Sequence, residues 1–179
     1  MQKIIITGGP GSGKSTLLDA LAANGYHCVP EVSRSLIQEQ VAAESDCLPW
    51  KDLNCFATLA LDRMLADYKQ AIGNNQTSFF DRGIPDIIAY LKVGGLEVNS
   101  RFYSIANEHR YAKDVFITPP WKEIYVNDTE RWQTFDEACV LHETLVSVYS
   151  DLGYNLKFVP CLSVQDRVDY IVRELSEGI

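Results

Sequence analysis

The chain has 179 residues, which is enough for one domain with a full hydrophobic core and too few for two domains of ordinary size. Hydrophobic residues make up 46% of it and charged residues 22%, the composition of a globular rather than a disordered protein. The formal net charge of −8 argues against general nucleic-acid binding, because that function depends on a basic surface.

The chain contains no recognisable membrane or export segment. No apolar run approaches the length that crosses a bilayer, and the first apolar run turns directly into glycines without a cleavage site. We therefore expect one domain over residues 1–179 in a cytoplasmic protein, a monomer or dimer with no membrane or nucleic-acid partner.

The cysteines and histidines give no sign of a metal site. The five cysteines are widely spaced, odd in number and without a C-x-x-C pair, and the three histidines are scattered. We therefore expect ordinary reduced thiols rather than a disulfide framework or a zinc site. The cysteines are Cys28, Cys47, Cys55, Cys139 and Cys161.

Short apolar runs alternate with longer amphipathic stretches, a pattern typical of an α/β protein with a parallel sheet. The first helix is expected to begin at Gly13 or Lys14, inside a glycine-rich loop, and to end near Asn24–Gly25. The predicted strands are residues 3–7, 27–30, 77–80, 115–118 and 156–159.

Later helices carry their own boundary signals. Apolar residues at helical spacing predict a helical insertion over residues 48–73. Thr134-x-x-Glu137 resembles a capping box that opens another helix, and Ser163 is expected to begin the last one. The charged and aromatic segment 119–133 follows a strand, in the place where open α/β sheets bind ligands.

The segment Gly8-x-x-x-x-Gly13-Lys14-Ser15 matches the pattern of a phosphate-binding loop in full. Backbone N–H groups that point inward around a diphosphate require glycine at several positions, and the following helix presents the positive end of its dipole. Lys14 would bridge the outer phosphates, and the Ser15 hydroxyl would bind the accompanying magnesium ion. We prefer this interpretation to a glycine-rich turn with a chance lysine.

A second acidic group is expected near this loop. Asp81 directly follows the third strand and would hold the magnesium shell. The alternative is that Asp81 caps the next helix, a role that Asp86 would also serve. Arg82, next to Asp81, would bind a phosphate or substrate, or would instead form a salt bridge to Asp86 or Glu31.

Glu31 follows the second strand and would lie at the same edge of the sheet. It is a candidate general base for an attacking hydroxyl, with a helix N-cap as its alternative role. Arg34 would bind an anionic substrate or neutralise Glu31. In the 119–133 segment, Arg131 would stabilise charge in the transition state, and Trp121 would stack on substrate or simply pack.

Together these segments resemble a known family. The stretches ITGGPGSGKSTLL, PEVSR, FFDRGIPDIIAY, VFITPPWKEIYVNDTERW and LGYNLKFVP occur in this order. They are similar to the small AAA-type P-loop ATPases, a family related to the ribosylnicotinamide kinase domain of the bifunctional NAD-biosynthesis regulator. The resemblance covers nearly the whole chain.

The resemblance implies a three-layer α/β/α P-loop NTPase fold, with a five-stranded parallel sheet of order 2-3-1-4-5 and a lid at about 119–133. It also implies that Ser15 and Asp81 serve magnesium, that Arg131 is the lid arginine, and that residues 159–163 lie near the nucleotide base. The residues implied to hold the triphosphate are Gly8, Gly9, Pro10, Gly11, Ser12, Gly13, Lys14, Ser15 and Thr16.

Two functions remain open on the sequence. One is transfer of the γ-phosphate of ATP, with magnesium, to a small hydroxyl compound such as a nucleoside or ribosyl-nicotinamide. The other is a nucleotide-hydrolysing switch whose state a partner reads. The guanine-reading pattern N-K-x-D is absent, so ATP is the expected nucleotide, with GTP as the alternative.

Overall fold

The structure, a computed structural model, describes residues 2–72, 76–125 and 134–177. Five parallel strands form one sheet of order β2-β3-β1-β4-β5, which confirms the expected topology. The strands are β1 (Lys3–Gly8), β2 (His27–Val29), β3 (Ser78–Asp81), β4 (Asp114–Thr118) and β5 (Asn155–Phe158).

Helices precede or follow each strand in the described part of the chain. They are α1 (Lys14–Ala23), α2 (Val32–Ala42), α3 (Leu53–Ile72), α4 (Ile84–Val93), α5 (Ser100–Glu108), α6 (Phe135–Asp151) and α7 (Val164–Glu177), with a 3₁₀ helix at Lys122–Ile124. The region predicted as one insertion contains the long α3, and α2 precedes it as a separate helix.

The central strand explains why the sheet is covered on both faces. Side chains alternate along a strand, so Ile4 and Ile6 point to one face and Ile5 to the other. The first face packs against α1 and α7, and the second against α2 to α6. All three isoleucines are fully buried, as the continuous apolar run of a two-sided parallel sheet predicts.

The helix boundary signals read from the sequence correspond to real caps. Thr134 accepts a hydrogen bond from the backbone N–H of Glu137 at 3.2 Å, and its own N–H donates to the Glu137 carboxylate at 2.6 Å. Ser163 precedes α7 and accepts from the N–H of Asp166 at 3.3 Å. No helix in the described ranges is long and apolar enough to cross a membrane.

The cysteine prediction was wrong for one pair. Cys47 and Cys55 form a disulfide with their Cα atoms 5.3 Å apart. The turn between α2 and α3 accounts for the approach, because the N–H groups of Lys51 and Asp52 both donate to the carbonyl of Leu48 and fold the segment back. The other three cysteines, Cys28, Cys139 and Cys161, are free thiols as expected.

Reduction of this disulfide is expected to destabilise the protein by about 2–3 kcal/mol, the chain-entropy value for so short a loop. We expect dithiothreitol to lower the melting temperature of the natural chain by several degrees. A variant with both Cys47→Ser and Cys55→Ser should melt at the same temperature with and without the reductant. Equal melting temperatures for the natural chain in both conditions would contradict the prediction.

Candidate active site

The carboxyl ends of the strands bring the predicted site residues to one edge of the sheet. In the parallel register Ile6 of β1 faces Asp81 of β3, and Gly8 faces Thr118 of β4. Glu31 follows β2 at the same edge, as the first turn of α2 begins. Residues far apart in sequence therefore surround one point, as open α/β sheets require of a ligand site.

The loop between β1 and α1 has the backbone that its glycines predict. Gly8, Gly11 and Gly13 have φ values of 144°, 70° and 75°, a region that other residues rarely adopt. The Ser12 hydroxyl donates to the Gly9 carbonyl at 2.8 Å and lies 2.7 Å from the Thr118 hydroxyl. These contacts fix the loop against the end of β4.

Lys14 is folded into this loop, with 6% of its surface exposed. Its ammonium group donates to the carbonyl of Gly9 at 3.2 Å. Burial and the neighbouring Arg82 lower the pKa of Lys14 to about 8, although the carboxylates nearby oppose the shift. The lysine is therefore placed where an anionic ligand would stabilise its charged form.

Arg82 connects the loop with two carboxylates. Its Nε donates to Glu31 at 3.1 Å, and its Nη1 donates to the carbonyl of Gly8 at 3.0 Å and to Asp86 at 3.4 Å. Both salt bridges considered for Arg82 in the sequence are thus present together. Its φ of 72° is unusual for a residue with a side chain, which marks the site as conformationally strained.

Asp86 is the buried centre of a second network. It is 1% exposed and accepts from the Thr7 hydroxyl at 2.5 Å, the Tyr149 hydroxyl at 2.5 Å and the Gly83 N–H at 2.9 Å, besides Arg82. The helix-capping role considered for Asp81 therefore belongs to Asp86. The network joins β1, α4 and α6.

The pKa values of Glu31 and Asp81 are shifted in opposite directions. Burial would raise the pKa of Glu31, but Arg82 and Lys14 outweigh burial and hold that pKa below its ordinary value. Burial raises the pKa of Asp81, and Lys14 and Arg82 offset this only in part. Glu31 occupies the N-cap position of α2, yet its side chain makes no capping bond and pairs with Arg82 instead.

The residues fit a magnesium ion that takes most of its ligands from phosphate and water. Asp81 Oδ1 is buried and has no hydrogen-bond partner among the described residues, so it can accept from a metal-bound water or bind the ion. Ser15 is exposed in the first turn of α1, where its hydroxyl can serve as a ligand. The described ranges contain no cluster of three acidic, histidine or cysteine side chains that would hold a metal without phosphates.

Arg167 of α7 is a site residue that sequence reasoning missed. It is 2% exposed, and its guanidinium donates to the carbonyl of Ser12 at 3.1 Å and to that of Gly13 at 3.4 Å. The guanidinium carbon also lies 5.7 Å from the centre of the Trp121 ring. Nothing in the local sequence of an amphipathic C-terminal helix distinguishes this arginine from a solvated one.

One cavity of about 850 Å³ opens at this edge of the sheet and is lined by Lys14, Glu31, Arg82, Asp86 and Arg167, among others. One part of its wall comes from the glycine loop, Trp121, Ile124 and Arg167, and from the predicted base-binding loop at Leu162–Ser163. The other part, past Glu31 and Arg82, comes from α2, α3 and α4, and we name it the acceptor lobe for the role proposed below.

Most of the other predicted site residues line this cavity, whereas Gly8, Gly9 and Asp81 are not among the described residues that line it. Pro10 and Thr16 belong to its wall, as do Arg34 in the first turn of α2 and Trp121 before the 3₁₀ helix. In the described part of the predicted lid, Tyr125 lies directly over Gly11. Arg131 falls outside the described residues.

The fold and site define a P-loop protein with the architecture of small-molecule kinases. Deoxyadenosine kinase from M. mycoides with bound dATP superposes with a TM-score of 0.74 at 17% identity, over 98% of this chain and 100% of that one. Thymidylate kinase from Candida albicans gives 0.71 at 16%, over 99% and 91% of the two chains. Thymidylate kinase from Ehrlichia chaffeensis gives 0.63 at 17%, over 97% and 98%. At this identity the likeness establishes the fold alone.

The family follows from the sequence. A model of the AAA domain matches residues 3–167, so the chain belongs to the AAA domain family, and the resemblance stated above is confirmed. A nucleotide-binding protein of Pseudomonas fluorescens is 49% identical over 39 residues. That match spans 22% of this chain and 14% of the curated relative, a small part of its length.

Replacing Arg167 by methionine is expected to weaken ADP binding about tenfold or more, because two loop carbonyls lose charge-assisted partners and the loop is less firmly held. Calorimetric titration with Mg-ADP measures the affinity. Arg173→Met is the matched control, since Arg173 lies exposed on the same helix. If both variants bind ADP equally well, Arg167 does not position the loop.

Proposed function

We propose that the protein transfers the γ-phosphoryl group of Mg-ATP to the hydroxyl group of a small acceptor. The observation that carries the proposal is the acceptor lobe, which opens beside Glu31 and Arg82 and is walled by three helices. A protein that only hydrolysed nucleotide would need space for a water molecule there rather than for an acceptor. The kinases with the same fold act on nucleosides and nucleotides, which supports the same class of reaction.

The nucleotide is held by the glycine loop in this proposal. The backbone N–H groups of the loop and of the first turn of α1 would bind the phosphates, and Lys14 would neutralise the charge on the outer ones. Arg131, in the predicted lid, would add positive charge at the transferring group. Ser15 and Asp81 would hold a magnesium ion, whose charge would offset that of the phosphates.

Glu31 is the better candidate for contact with the acceptor, and Asp81 for the metal. Glu31 lines the cavity, which favours its contact with the acceptor, whereas the support for Asp81 at the metal is its buried Oδ1, which has no partner among the described residues. Because Arg82 and Lys14 hold Glu31 in its ionised form, its carboxylate would orient the acceptor hydroxyl and receive its proton during transfer. Arg34 at the cavity wall, together with Arg82 and Trp121, would contact the bound molecules.

The experiment that tests the proposal follows labelled γ-phosphate from Mg-ATP in the presence of candidate acceptors. Nucleosides and ribosyl-nicotinamide, the acceptors implied by the family resemblance, form the first panel. We expect a labelled acceptor that disappears in a Lys14→Ala variant. The opposite result is release of free phosphate at a rate that does not depend on any acceptor and that Lys14→Ala abolishes. This result would overturn the kinase proposal in favour of a hydrolysing switch.

Proton uptake on nucleotide binding is a further expected result. Since the pKa of Lys14 is about 8, most molecules carry a neutral Lys14 at pH 9. Bound phosphates raise this pKa, so nucleotide binding at pH 9 should transfer a proton from solution to Lys14. At pH 6.5 Lys14 is already charged, so binding should add no proton to it. Titrations with ADP in buffers of different ionisation enthalpy measure the uptake.

The control for this measurement is Lys14→Met, which retains the length of the side chain and cannot titrate. The variant should bind ADP more weakly and without uptake at pH 9. Equal uptake by the variant and the natural chain would assign the proton to another group.

A further inference from the structure

The wall of the acceptor lobe is strongly apolar. Beyond the first turn of α2, the helices α2, α3 and α4 and the turn at Pro49 supply aliphatic, aromatic and thioether side chains. The principal wall residues are Ile37, Leu53, Phe56, Met64, Ile87 and Leu91. Phe56, Met64, Ile87 and Leu91 also belong to the buried core, so the lobe is an opening into the hydrophobic interior rather than a surface groove.

Polar groups are concentrated at one end of the lobe. Glu31, Arg82 and Asp86 lie there, with Arg82 bonded to both carboxylates, and Ser33 and Arg34 of the first turn of α2 also line the cavity. Apart from these five, Tyr90 alone among the described lining residues of α2, α3 and α4 carries an oxygen or nitrogen in its side chain. Its ring lies against the same polar end, with the Arg82 guanidinium 5.4 Å from the ring centre.

The apolar wall continues to the surface of the protein. Val93, the last residue of α4, lines the cavity with 42% of its surface exposed.

We infer that the acceptor is an alcohol with an apolar body, an aryl or branched hydrocarbon alcohol, whose hydroxyl is its one polar group near Glu31. The inference rests on the proposed phosphoryl transfer and narrows its substrate class. A nucleoside base carries several donors and acceptors on its edge. Those that lie against the aliphatic and aromatic side chains, away from the polar end, would lose their bonds to water without replacement, at a cost of about 1–3 kcal/mol for each unmet group.

The reaction balances without a further reactant. The acceptor oxygen forms a bond to the γ-phosphorus of ATP as the bond from that phosphorus to the β-bridging oxygen breaks. The hydroxyl proton passes to the Glu31 carboxylate and from there to solvent. The products are the phosphate monoester of the alcohol and ADP.

The test compares geraniol and 3-phenylpropanol with adenosine, thymidine and ribosyl-nicotinamide as acceptors of labelled phosphate from Mg-ATP. We expect kcat/KM for at least one of the two apolar alcohols to exceed that for every nucleoside by at least about tenfold, since one or more base groups go unpaired. A nucleoside preferred over both alcohols would overturn the inference while leaving the proposed phosphoryl transfer intact.

A pair of variants on α2 tests the lobe itself. Ile37→Asn places an amide in the wall, whereas Val41→Asn makes the same change one helical turn away at a residue that is 54% exposed and outside the wall. The two changes have similar helix-propensity costs. We expect Ile37→Asn to lower kcat/KM for the apolar alcohol at least about fivefold and Val41→Asn to leave it unchanged. Equal effects of Ile37→Asn and Val41→Asn on kcat/KM would show that the acceptor does not bind in the lobe.

Binding of the two alcohols, measured by calorimetry with Mg-ADP present, separates the inference from the proposed function. In one outcome the alcohols bind with a negative heat-capacity change, Ile37→Asn weakens that binding, and no acceptor receives phosphate. This outcome would overturn the kinase proposal and retain an apolar ligand in the lobe. Absence of both binding and transfer for the alcohols would overturn the inference.

Discussion

Replacing Arg82 by methionine is expected to lower the free energy of unfolding by about 3–5 kcal/mol, the cost of leaving buried carboxylates without their cation. Glu31 and Asp86 both lose their ion pair, and the Gly8 carbonyl loses a donor. Arg82 and Asp86 are almost fully buried, so solvent screens little of this interaction. Urea unfolding followed by circular dichroism measures the change.

The chain offers a matched control for this substitution. Arg63 pairs with Glu39 on the surface, where the two side chains are 39% and 49% exposed. Arg63→Met should therefore change the free energy of unfolding by less than about 1 kcal/mol. A loss in Arg82→Met no larger than in Arg63→Met would indicate that Asp86 and Glu31 do not depend on Arg82.

Replacing Gly8 by alanine is expected to cost about 3–5 kcal/mol of stability and to abolish measurable nucleotide binding. The added Cβ would overlap the Thr118 hydroxyl and lie 2.5 Å from the Thr118 carbonyl oxygen, and φ at this residue is 144°. The loop would have to move away from β4, which takes its N–H groups away from the phosphates. Thermal unfolding and Mg-ADP titration measure the two effects.

Gly25→Ala separates backbone strain from crowding. Gly25 also has a positive φ, 87°, but nothing lies within 4 Å of a Cβ added there. We expect a loss of about 1–2 kcal/mol with unchanged ADP affinity. If Gly8→Ala behaves in the same way as Gly25→Ala, close packing against Thr118 does not maintain the loop.

The strands and the glycine loop could be predicted because their signals are local. The run from Lys3 to Thr7 followed by Gly8-x-x-x-x-Gly13-Lys14 carries both the strand and the loop in adjacent residues. Helix caps such as Thr134 with Glu137 are local as well, and they occur as predicted. The order of the strands is a property of the whole chain, and it came from the family resemblance rather than from any one segment.

The rest of the site depends on pairings between distant residues that no local pattern encodes. Asp86 meets Thr7 across 79 residues and Tyr149 across 63, and Arg167 reaches Ser12 across 155. Each of these side chains, read in its own segment, looks like an ordinary helix or strand residue. The Cys47–Cys55 disulfide was missed for a different reason, because the turn that joins the two cysteines follows no cysteine-spacing rule.

The contacts of Arg167 join two segments that lie far apart in the sequence. The guanidinium that holds the Ser12 and Gly13 carbonyls belongs to α7, 155 and 154 residues from these two positions of the glycine loop. The geometry of the loop therefore depends on the docking of α7 as well as on the loop's own glycines. A substitution that loosens the packing of α7 is expected to disturb the loop without changing any residue in it.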